Sequence, residues 1–219
     1  MSSVLRPYKT LRAAALDEFI VNKSRFIGHA APVQSEEEAL RFLDSIRREF
    51  RDATHNCYAY TIGANMGVMR YSDDGEPGGT AGLPMMEVIK HQQVCNCCVV
   101  VTRYFGGILL GAGGLVRAYT QGCAIALKAA GVVVMEPTAS YLCEVDYPLW
   151  DRVQYAMKAL PVQLTDVSYA GAVSFTLLTR SRDAEEALAV LTRVTDGRAE
   201  ILPEDERFAA WPEEGEGTN

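Results

Sequence analysis

The fold is decided by one stretch near the middle of the chain, 97-CCVVVTRYFGGILLGAGGLVRAYT-120. Residues 97–105 are mostly β-branched and apolar, which predicts a buried central strand. A glycine-rich loop follows. Residues 110–130 are then rich in small side chains and stop before Gly131, which predicts a long helix that packs closely on a sheet.

The residues before this stretch predict further elements of the same domain. Ser35 and Glu38 form a capping-box pattern that begins a helix with one apolar face. Further strands and a short helix are predicted at 25–33, 54–63, 66–72 and 84–91. The sequence Glu136-Pro137-Thr138 predicts a joint, so that a first domain spans residues 1–136.

The remainder of the chain predicts a second domain and a tail. Residues 139–202 favour the order strand, helix, strand, strand, helix, strand, and this βαββαβ pattern indicates a ferredoxin-like sandwich. Residues 203–219 are rich in acidic residues and are predicted to be disordered. The fold class is therefore predicted to be α+β, with two domains, which suits a chain of 219 residues.

The charge is unevenly distributed along the chain. The net charge is −7, with +1 on residues 1–136 and −8 on residues 137–219. This argues against nonspecific binding of nucleic acid by the whole surface, but it leaves room for a local basic patch. The chain shows no apolar run of membrane-spanning length and no secretory signal. We therefore expect a cytoplasmic protein whose six cysteines are reduced.

An acidic segment, 71-YSDDGEPGGTAG-82, places three carboxylates within four residues, at Asp73, Asp74 and Glu76. Such close charges need compensation from solvent, a cation or hydrogen-bond donors. One interpretation is a rigid loop in which carboxylates cap turns and the Thr80 hydroxyl caps the next helix. The other is a site for a hard cation such as Mg²⁺ or Ca²⁺. His55, at the start of a strand, is either a structural residue or a ligand or base facing this loop.

The glycine-rich loop before the long helix is the second candidate site. Exposed amides and the positive end of a helix dipole attract anions, and Arg103 and Arg117 add positive charge. Tyr104 and Phe105 offer stacking faces. The glycines of this loop and of the first helical turn are Gly106, Gly107, Gly113 and Gly114. Their spacing fits neither a P-loop nor a Rossmann fingerprint, and close packing of helix on strand is the alternative explanation.

A third feature is the pair of cations in Lys23-Ser24-Arg25-Phe26, beside an aromatic residue at the start of a strand. Lys23 and Arg25 would suit a phosphate contact, and a solvated strand edge would place them equally well.

Taken together, four ordered motifs resemble the IMPACT family in its YigZ-like bacterial branch. These motifs are 23-KSRFI-27, 53-ATHNCYAY-60, 73-DDGEPGGTAG-82 and the segment from Val101 to Tyr119. Gly78 stands where serine is common in the family, and Leu83 and Leu109 stand where basic residues are common. The resemblance implies an amino-terminal domain like a small-subunit ribosomal protein, with a left-handed βαβ crossover, and a carboxyl-terminal ferredoxin-like domain. It also implies the general theme of translation control.

We therefore expect a non-enzymatic cytosolic binding protein that engages structured RNA, the ribosome or a translation factor. We expect no cofactor, no membrane contact and no reading of DNA sequence. The residues expected to bind nucleic acid or an anion are Lys23, Arg25, Arg103, Tyr104, Gly106, Gly107, Gly113, Gly114 and Arg117. Two alternatives remain. One is a metal-assisted hydrolase or phosphate-ligand enzyme that uses His55, Asp73, Asp74 and Glu76. The other is a protein-binding module that uses the sheet of the second domain.

Overall fold

The computed structural model describes residues 6–212, which form two compact units. The main span of one unit is Tyr8–Val134, and that of the other is Met135–Ala209. The strands are β1 (Tyr8–Leu11), β2 (Ala15–Val21), β3 (Ser24–Pro32), β4 (His55–Ile62), β5 (Val68–Ser72), β6 (Cys97–Tyr104), β7 (Val132–Val145), β8 (Val162–Tyr169), β9 (Val173–Arg180), β10 (Glu200–Pro203) and β11 (Arg207–Pro212). The helices are α1 (Glu36–Glu49), α2 (Gly82–Gln92), α3 (Gly111–Ala130), α4 (Tyr147–Met157) and α5 (Ala184–Val194).

The first unit contains an antiparallel sheet of order β2-β3-β6-β4-β5, with β6 at its centre as predicted. Because side chains alternate along a strand, β6 contributes to two cores. Val99 and Val101 pack with α2 and α3 on one face. Cys98 and Val100 pack with α1 on the other. The sheet is thus covered on both faces, which explains why β6 is a continuous apolar run.

The topology of this sheet confirms a left-handed crossover. The connection β3-α1-β4 and the connection β5-α2-β6 each join two parallel strands across one antiparallel neighbour. A rotation of the sheet by 180° about the axis normal to it makes the connection β5-α2-β6 run in the direction of β3-α1-β4. This rotation leaves each face of the sheet on its own side. Since α1 and α2 lie on opposite faces, the two connections have opposite hands, and one of them departs from the usual right-handed rule.

The small residues of α3 allow this helix to lie close against the sheet, as the sequence predicted. A methyl group added at Gly28 of β3 would lie 2.2 Å from the carbonyl oxygen of Gly122 in α3. The Phe26 ring meets the Tyr119 ring edge-on, with 5.4 Å between their centroids. This close packing fixes α3 against β3.

The second unit has the predicted ferredoxin-like arrangement. Its strands lie in the order β10-β7-β9-β8, all antiparallel, and β11 also pairs with β7. Helices α4 and α5 pack on one face of the sheet. The centre of this core includes Trp150, Phe175 and Leu191. The ring centroids of Trp150 and Phe175 lie 5.0 Å apart.

Two details of these expectations were wrong, although the two units divide at Val134/Met135, within two residues of the predicted boundary. No irregular linker separates them at Glu136-Pro137-Thr138, because β7 runs through all three residues. Pro137 lies just before the first residue of β7 that pairs with β9, where its missing amide is tolerated. Within the predicted disordered tail, residues 207–212 form β11, because the buried indole of Trp211 outweighs the acidic composition around it. Residues 213–219 of that predicted tail lie outside the described residues.

Candidate functional site

A cavity of about 370 Å³ opens on the α2 and α3 face of the first sheet. It brings together His55 at the start of β4, Glu76 of the acidic loop, Arg103 near the end of β6 and the first residues of α3. Its volume lies within the roughly 300–1,000 Å³ typical of small-molecule sites. We call this cavity the cleft. Its remaining lining residues are Thr54, Gly75, Pro77, Phe105, Leu109, Leu110, Gly111, Ala112 and Leu115.

The floor of the cleft is a buried ion pair. The Arg103 Nη1 atom donates to Glu76 Oε1 over 2.7 Å, and the Tyr119 hydroxyl donates to the same oxygen over 2.7 Å. The side chains of Arg103 and Glu76 are only 6% and 3% exposed. Burial raises the pKa of Tyr119 far above its ordinary value, so this hydroxyl keeps its proton and remains a donor.

One nitrogen of the Arg103 guanidinium, Nε, is buried and has no hydrogen-bond partner. Among the side chains of residues 6–212, Arg103 Nε is the one buried nitrogen or oxygen atom without a partner. The guanidinium carbon lies over the Phe26 ring and over the Phe105 ring, 5.5 Å from each centroid. An unsatisfied buried donor costs roughly 1–3 kcal/mol, so its presence in a folded protein requires an explanation.

The register of the sheet places His55 beside this ion pair, since it lies opposite Arg103 in the β4–β6 ladder. His55 Nδ1 lies 2.8 Å from the backbone carbonyl oxygen of Asp74. A carbonyl oxygen only accepts, so Nδ1 is the donor in this bond. The other ring nitrogen, Nε2, lies 3.9 Å from Glu76 Oε2. His55 is therefore oriented by the acidic loop and turns Nε2 toward the cleft floor.

Most polar side chains of the acidic loop form hydrogen bonds that hold the loop in its conformation. The Asp73 carboxylate accepts from the amides of Gly79, Ala81 and Gly82, at 2.8, 3.0 and 2.8 Å. It therefore caps the start of α2. The predicted Thr80 cap is wrong: the Asp73 carboxylate already holds those amides, and the Thr80 hydroxyl donates to the Pro77 carbonyl instead.

The neighbouring Asp74 fastens the same loop to β4 and α1. One carboxylate oxygen accepts from the Asn56 amide over 2.7 Å, and the other accepts from the Arg47 guanidinium over 3.1 Å. Across residues 6–212 no three His, Cys, Asp or Glu side chains converge as the ligands of a metal ion do. Thus the contacts of Asp73 and Asp74 are those of the rigid-loop interpretation.

The six cysteines are free and buried. Cys57 lies two residues after His55 in β4. Burial raises the pKa of Cys57 to about 12 and that of Cys97 to about 12. Their thiols therefore remain protonated at neutral pH and lack the thiolate that a nucleophile needs.

The glycine loop between β6 and α3 owes its glycines to two causes. A methyl group at Gly106 would lie 2.0 Å from the carbonyl carbon of Lys23, so close packing requires this glycine. Gly107 and Gly111 instead have φ values of +81° and +68° with open space around them. In the described chain no side chain caps the start of α3, and its first turn carries no acidic residue. The amides at this helix end therefore remain available to a ligand.

The cations predicted to contact an anion do not all belong to the cleft. Lys23 and Arg117 are exposed beside the glycine loop and the start of α3. Arg25 instead pairs with Glu18 at 2.6 Å and lies over the Tyr104 ring at 6.0 Å. Tyr104 follows Arg103 in β6 and therefore faces α1 on the opposite side of the sheet. The role of Arg25 and Tyr104 in binding nucleic acid stays a prediction.

Comparison with known proteins identifies relatives over most of the chain. The model of the Impact N-terminal domain matches residues 22–127, and a domain of unknown function, DUF1949, matches residues 143–198. The chain is 37% identical over 198 residues to IMPACT family member YvyE of Bacillus subtilis, covering 90% of this chain and 91% of that protein. The chain belongs to the IMPACT family.

Other relatives match this chain over different shares of their own length. IMPACT family member YigZ of Escherichia coli is 33% identical over 188 residues, which cover 85% of this chain and 92% of that protein. A Protein IMPACT homolog of Dictyostelium discoideum is 41% identical over 93 residues, which are 41% of this chain and 26% of that protein. A solved structure, described as the crystal structure of a hypothetical protein, aligns with a TM-score of 0.58 and 30% identity. The alignment covers 92% of this chain and 99% of that one.

Two features of this IMPACT family member escaped the sequence analysis. No sequence signal pointed to Tyr119, which reaches the cleft floor from the third turn of α3. Nor did the sequence indicate that Arg103 and Glu76, 27 residues apart, form one buried pair. No local spacing signals such a contact. Among residues 6–212, no helix has both the length and the apolar character needed to cross a membrane.

Proposed function

We propose that this IMPACT family member is a non-enzymatic binding protein of the translation apparatus that contacts structured RNA. The contact would be made by Lys23, residues 105–113 and Arg117, which we call the glycine-loop surface. One observation carries the proposal: the uncapped start of α3 lies between two exposed cations and above the buried, partly unpartnered Arg103. Membership of the IMPACT family, which includes eukaryotic proteins named IMPACT, supports the link to translation.

Phosphate recognition is the chemistry that this surface favours. Free amides at a helix start and the positive end of its dipole attract phosphate oxygens. Lys23 and Arg117 would add the charge-driven part of binding, which does not depend on base sequence. The exposed Phe105 ring offers a face on which an unpaired base can stack. Since residues 1–136 carry a net charge of only +1, such binding would be confined to this surface rather than spread over the whole unit.

Binding to ribosomal RNA fragments and to ribosomal subunits tests the proposal. The measurement is the dissociation constant across a salt series, for the full chain and for the variants Lys23→Gln and Arg117→Gln. Each variant should weaken binding to a similar degree for all RNA sequences and lower the salt slope by about 1. Arg193→Gln is the matched control, because Arg193 is exposed on α5 in the other unit.

Two results would overturn this proposal. One is the absence of any RNA or ribosome association at low salt. The other is a complex with ribosomes or lysate proteins that survives complete nuclease treatment and is unchanged by both glutamine variants. That second result would point to a translation factor as the partner, recognised through another surface.

A phosphate-ligand enzyme is the second candidate, because His55 Nε2 and Glu76 Oε2 face each other at the floor of a cavity of ligand size. In that case His55 would move a proton to or from the substrate. Hydrolysis of a panel of phosphomonoesters and phosphodiesters, with and without Mg²⁺, tests this candidate. Turnover that His55→Gln removes would support it, and no turnover by the wild-type chain would exclude it for these esters.

A further inference from the structure

We propose that the cleft binds the phosphate of a single nucleotide, as a phosphate monoester at the start of α3, with the nucleoside against the apolar wall of the cleft. This deepens the proposed function by naming a ligand class for the same site. It rests on that function only where the nucleotide is the end of an RNA chain, because a free nucleotide would fit the same groups.

The anion is indicated by two independent observations. The first is the start of α3, a helix of 20 residues whose first turn lacks both a capping side chain and an acidic residue within the described chain. The second is Arg103, which lines the cleft, is 5% exposed and has a buried Nε without a partner. Glu76 engages Nη1, which leaves Nε as a buried donor without a partner in a side chain that lines the cleft.

Glu76 does not remove this preference for an anion. Its Oε1 atom accepts from both Arg103 and Tyr119, so its charge is offset within the cleft floor. The pair Arg103–Glu76 is therefore close to neutral as a unit. The attraction comes from the amides of α3, and the exposed Lys23 and Arg117 add to it from outside the cleft.

A terminal phosphate fits the depth of the cleft better than an internal one. Arg103 and Glu76 at the floor are 5% and 7% exposed, whereas Leu109 on the wall is 84% exposed. A terminal phosphate can enter end-on and so reach the cleft floor. A phosphodiester within a chain must leave the cleft on both sides, so it would contact the outer amides and cations rather than the floor.

The body of the ligand is indicated by the walls. Phe105, Leu109, Leu110 and Leu115 line one side of the cleft, and the Phe105 ring is 46% exposed. An apolar wall with an exposed aromatic ring favours a planar base over a bare phosphate ion. The cavity of about 370 Å³ is of the size that a small ligand occupies.

Equilibrium dialysis of the full chain with labelled adenosine 5′-monophosphate tests the proposal. The informative variant is Ala112→Asp, because Ala112 is exposed, lines the cleft and lies in the first turn of α3. A carboxylate there does not harm the helix, since acidic residues are favourable in a first turn. It should lower nucleotide affinity at least tenfold, whereas Ala112→Asn should lower it less than threefold.

Val116→Asp is the matched control for charge. Val116 lies on the same helix but lines the neighbouring groove between α2 and α3. It should leave nucleotide affinity within twofold of wild type. Thermal unfolding of all three variants checks that each is folded at the temperature of the dialysis.

The ligand series separates the chemical class and its source. Wild-type binding of the monophosphate, with weaker binding of adenosine and of inorganic phosphate, supports the proposal. A short RNA with a 5′-phosphate that binds more tightly than its 5′-hydroxyl twin identifies an RNA end as the source. Binding of the free nucleotide alone identifies a metabolite.

Three results would overturn the proposal. These are no binding of the monophosphate or of the 5′-phosphorylated RNA, equal binding of inorganic phosphate and the monophosphate, or equal losses in Ala112→Asp and Val116→Asp. If RNA binding persists and still depends on Lys23 and Arg117 in any of these cases, the proposed function stands and the nucleotide cleft falls. If nucleotide binding persists while structured RNA does not bind, the nucleotide cleft stands and the proposed function falls.

Discussion

The two faces of the first sheet differ most at the end where β3, β4 and β6 meet the glycine loop. On the α1 face, the polar side chains hydrogen-bond to other side chains of the protein. The Thr102 hydroxyl donates to Asn56 Oδ1 over 2.7 Å, and His29 Nε2 lies 3.3 Å from Thr102 Oγ1. The Tyr104 hydroxyl donates to Asp52 over 2.9 Å. On the α2 and α3 face, Arg103 between these residues keeps one unpartnered nitrogen and lines a cleft.

Adjacent residues of one strand therefore serve separate purposes. Thr102 and Tyr104 complete a structural network beside α1, whereas Arg103 faces the cavity at the start of α3. The alternation of side chains along β6 is sufficient to separate the two. A motif that is contiguous in sequence is therefore divided between support and site. The predictions below test this division.

The largest effect should come from breaking the buried ion pair of the cleft floor. Glu76→Gln leaves the Arg103 charge buried without its carboxylate, and we expect a loss of about 3–5 kcal/mol in the free energy of unfolding. Urea denaturation measures it. Glu87→Gln breaks an exposed pair with Lys90 and should cost at most about 1 kcal/mol. Equal losses in the two variants would contradict the burial of the Arg103–Glu76 pair.

On the α1 face, stability should depend on pH through His29. Burial lowers its pKa from 6.5 to about 4, so in the folded state the ring stays neutral where the unfolded chain takes up a proton. The stabilisation is complete above pH 6.5 and is lost as the pH falls toward 4, by about 3 kcal/mol over that window. Urea midpoints of the wild type and His29→Gln at several pH values measure the difference. A parallel decline in the two proteins would rule out this role.

The glycine loop gives a smaller, steric prediction. Gly106→Ala should cost about 2 kcal/mol, because its methyl group would meet the backbone of Lys23 and the loop must shift. Gly78→Ala is the matched control, since nothing lies within 4 Å of a methyl group there. Thermal unfolding compares the two variants. If Gly78→Ala is the more damaging change, the close approach at Gly106 does not set the loop.

The smallest effect is expected at Asp73, on the outer part of the acidic loop. Asp73→Asn keeps an acceptor for the α2 amides but removes its charge, which should cost about 1 kcal/mol. Asp44→Asn, in an exposed pair with Arg48, should cost less. Unfolding is then repeated with Mg²⁺. A magnesium-dependent stabilisation that Asp73→Asn abolishes would show that the loop binds a cation after all.

Much of the fold was predictable because it depends on local pattern. The Val99-Val100-Val101 run identified the central strand, and the capping bond from Glu38 to Ser35 is present as predicted. The strand β2 was not predicted, although Phe19 and Val21 pack on the core from alternate positions. Its two charged residues, Asp17 and Glu18, hide that alternation.

The site was only partly predictable, since it depends on contacts between distant residues. The sequence identified His55, Glu76 and Arg103 separately, but their meeting follows from the strand order β3-β6-β4. The same order could not be derived from spacing. Nor could the sequence show that the Asp73 carboxylate accepts hydrogen bonds from amides at the start of α2, because those bonds depend on the path of the loop.

Hydrogen exchange of the full chain, with and without bound ribosomal RNA, tests the central claim most directly. We expect slower exchange in peptides that cover residues 105–117 when RNA is present. We expect no change on the α1 face, in peptides that cover residues 36–49. Slowing confined to the α1 face, or RNA binding with no slowing at residues 105–117, would contradict this claim.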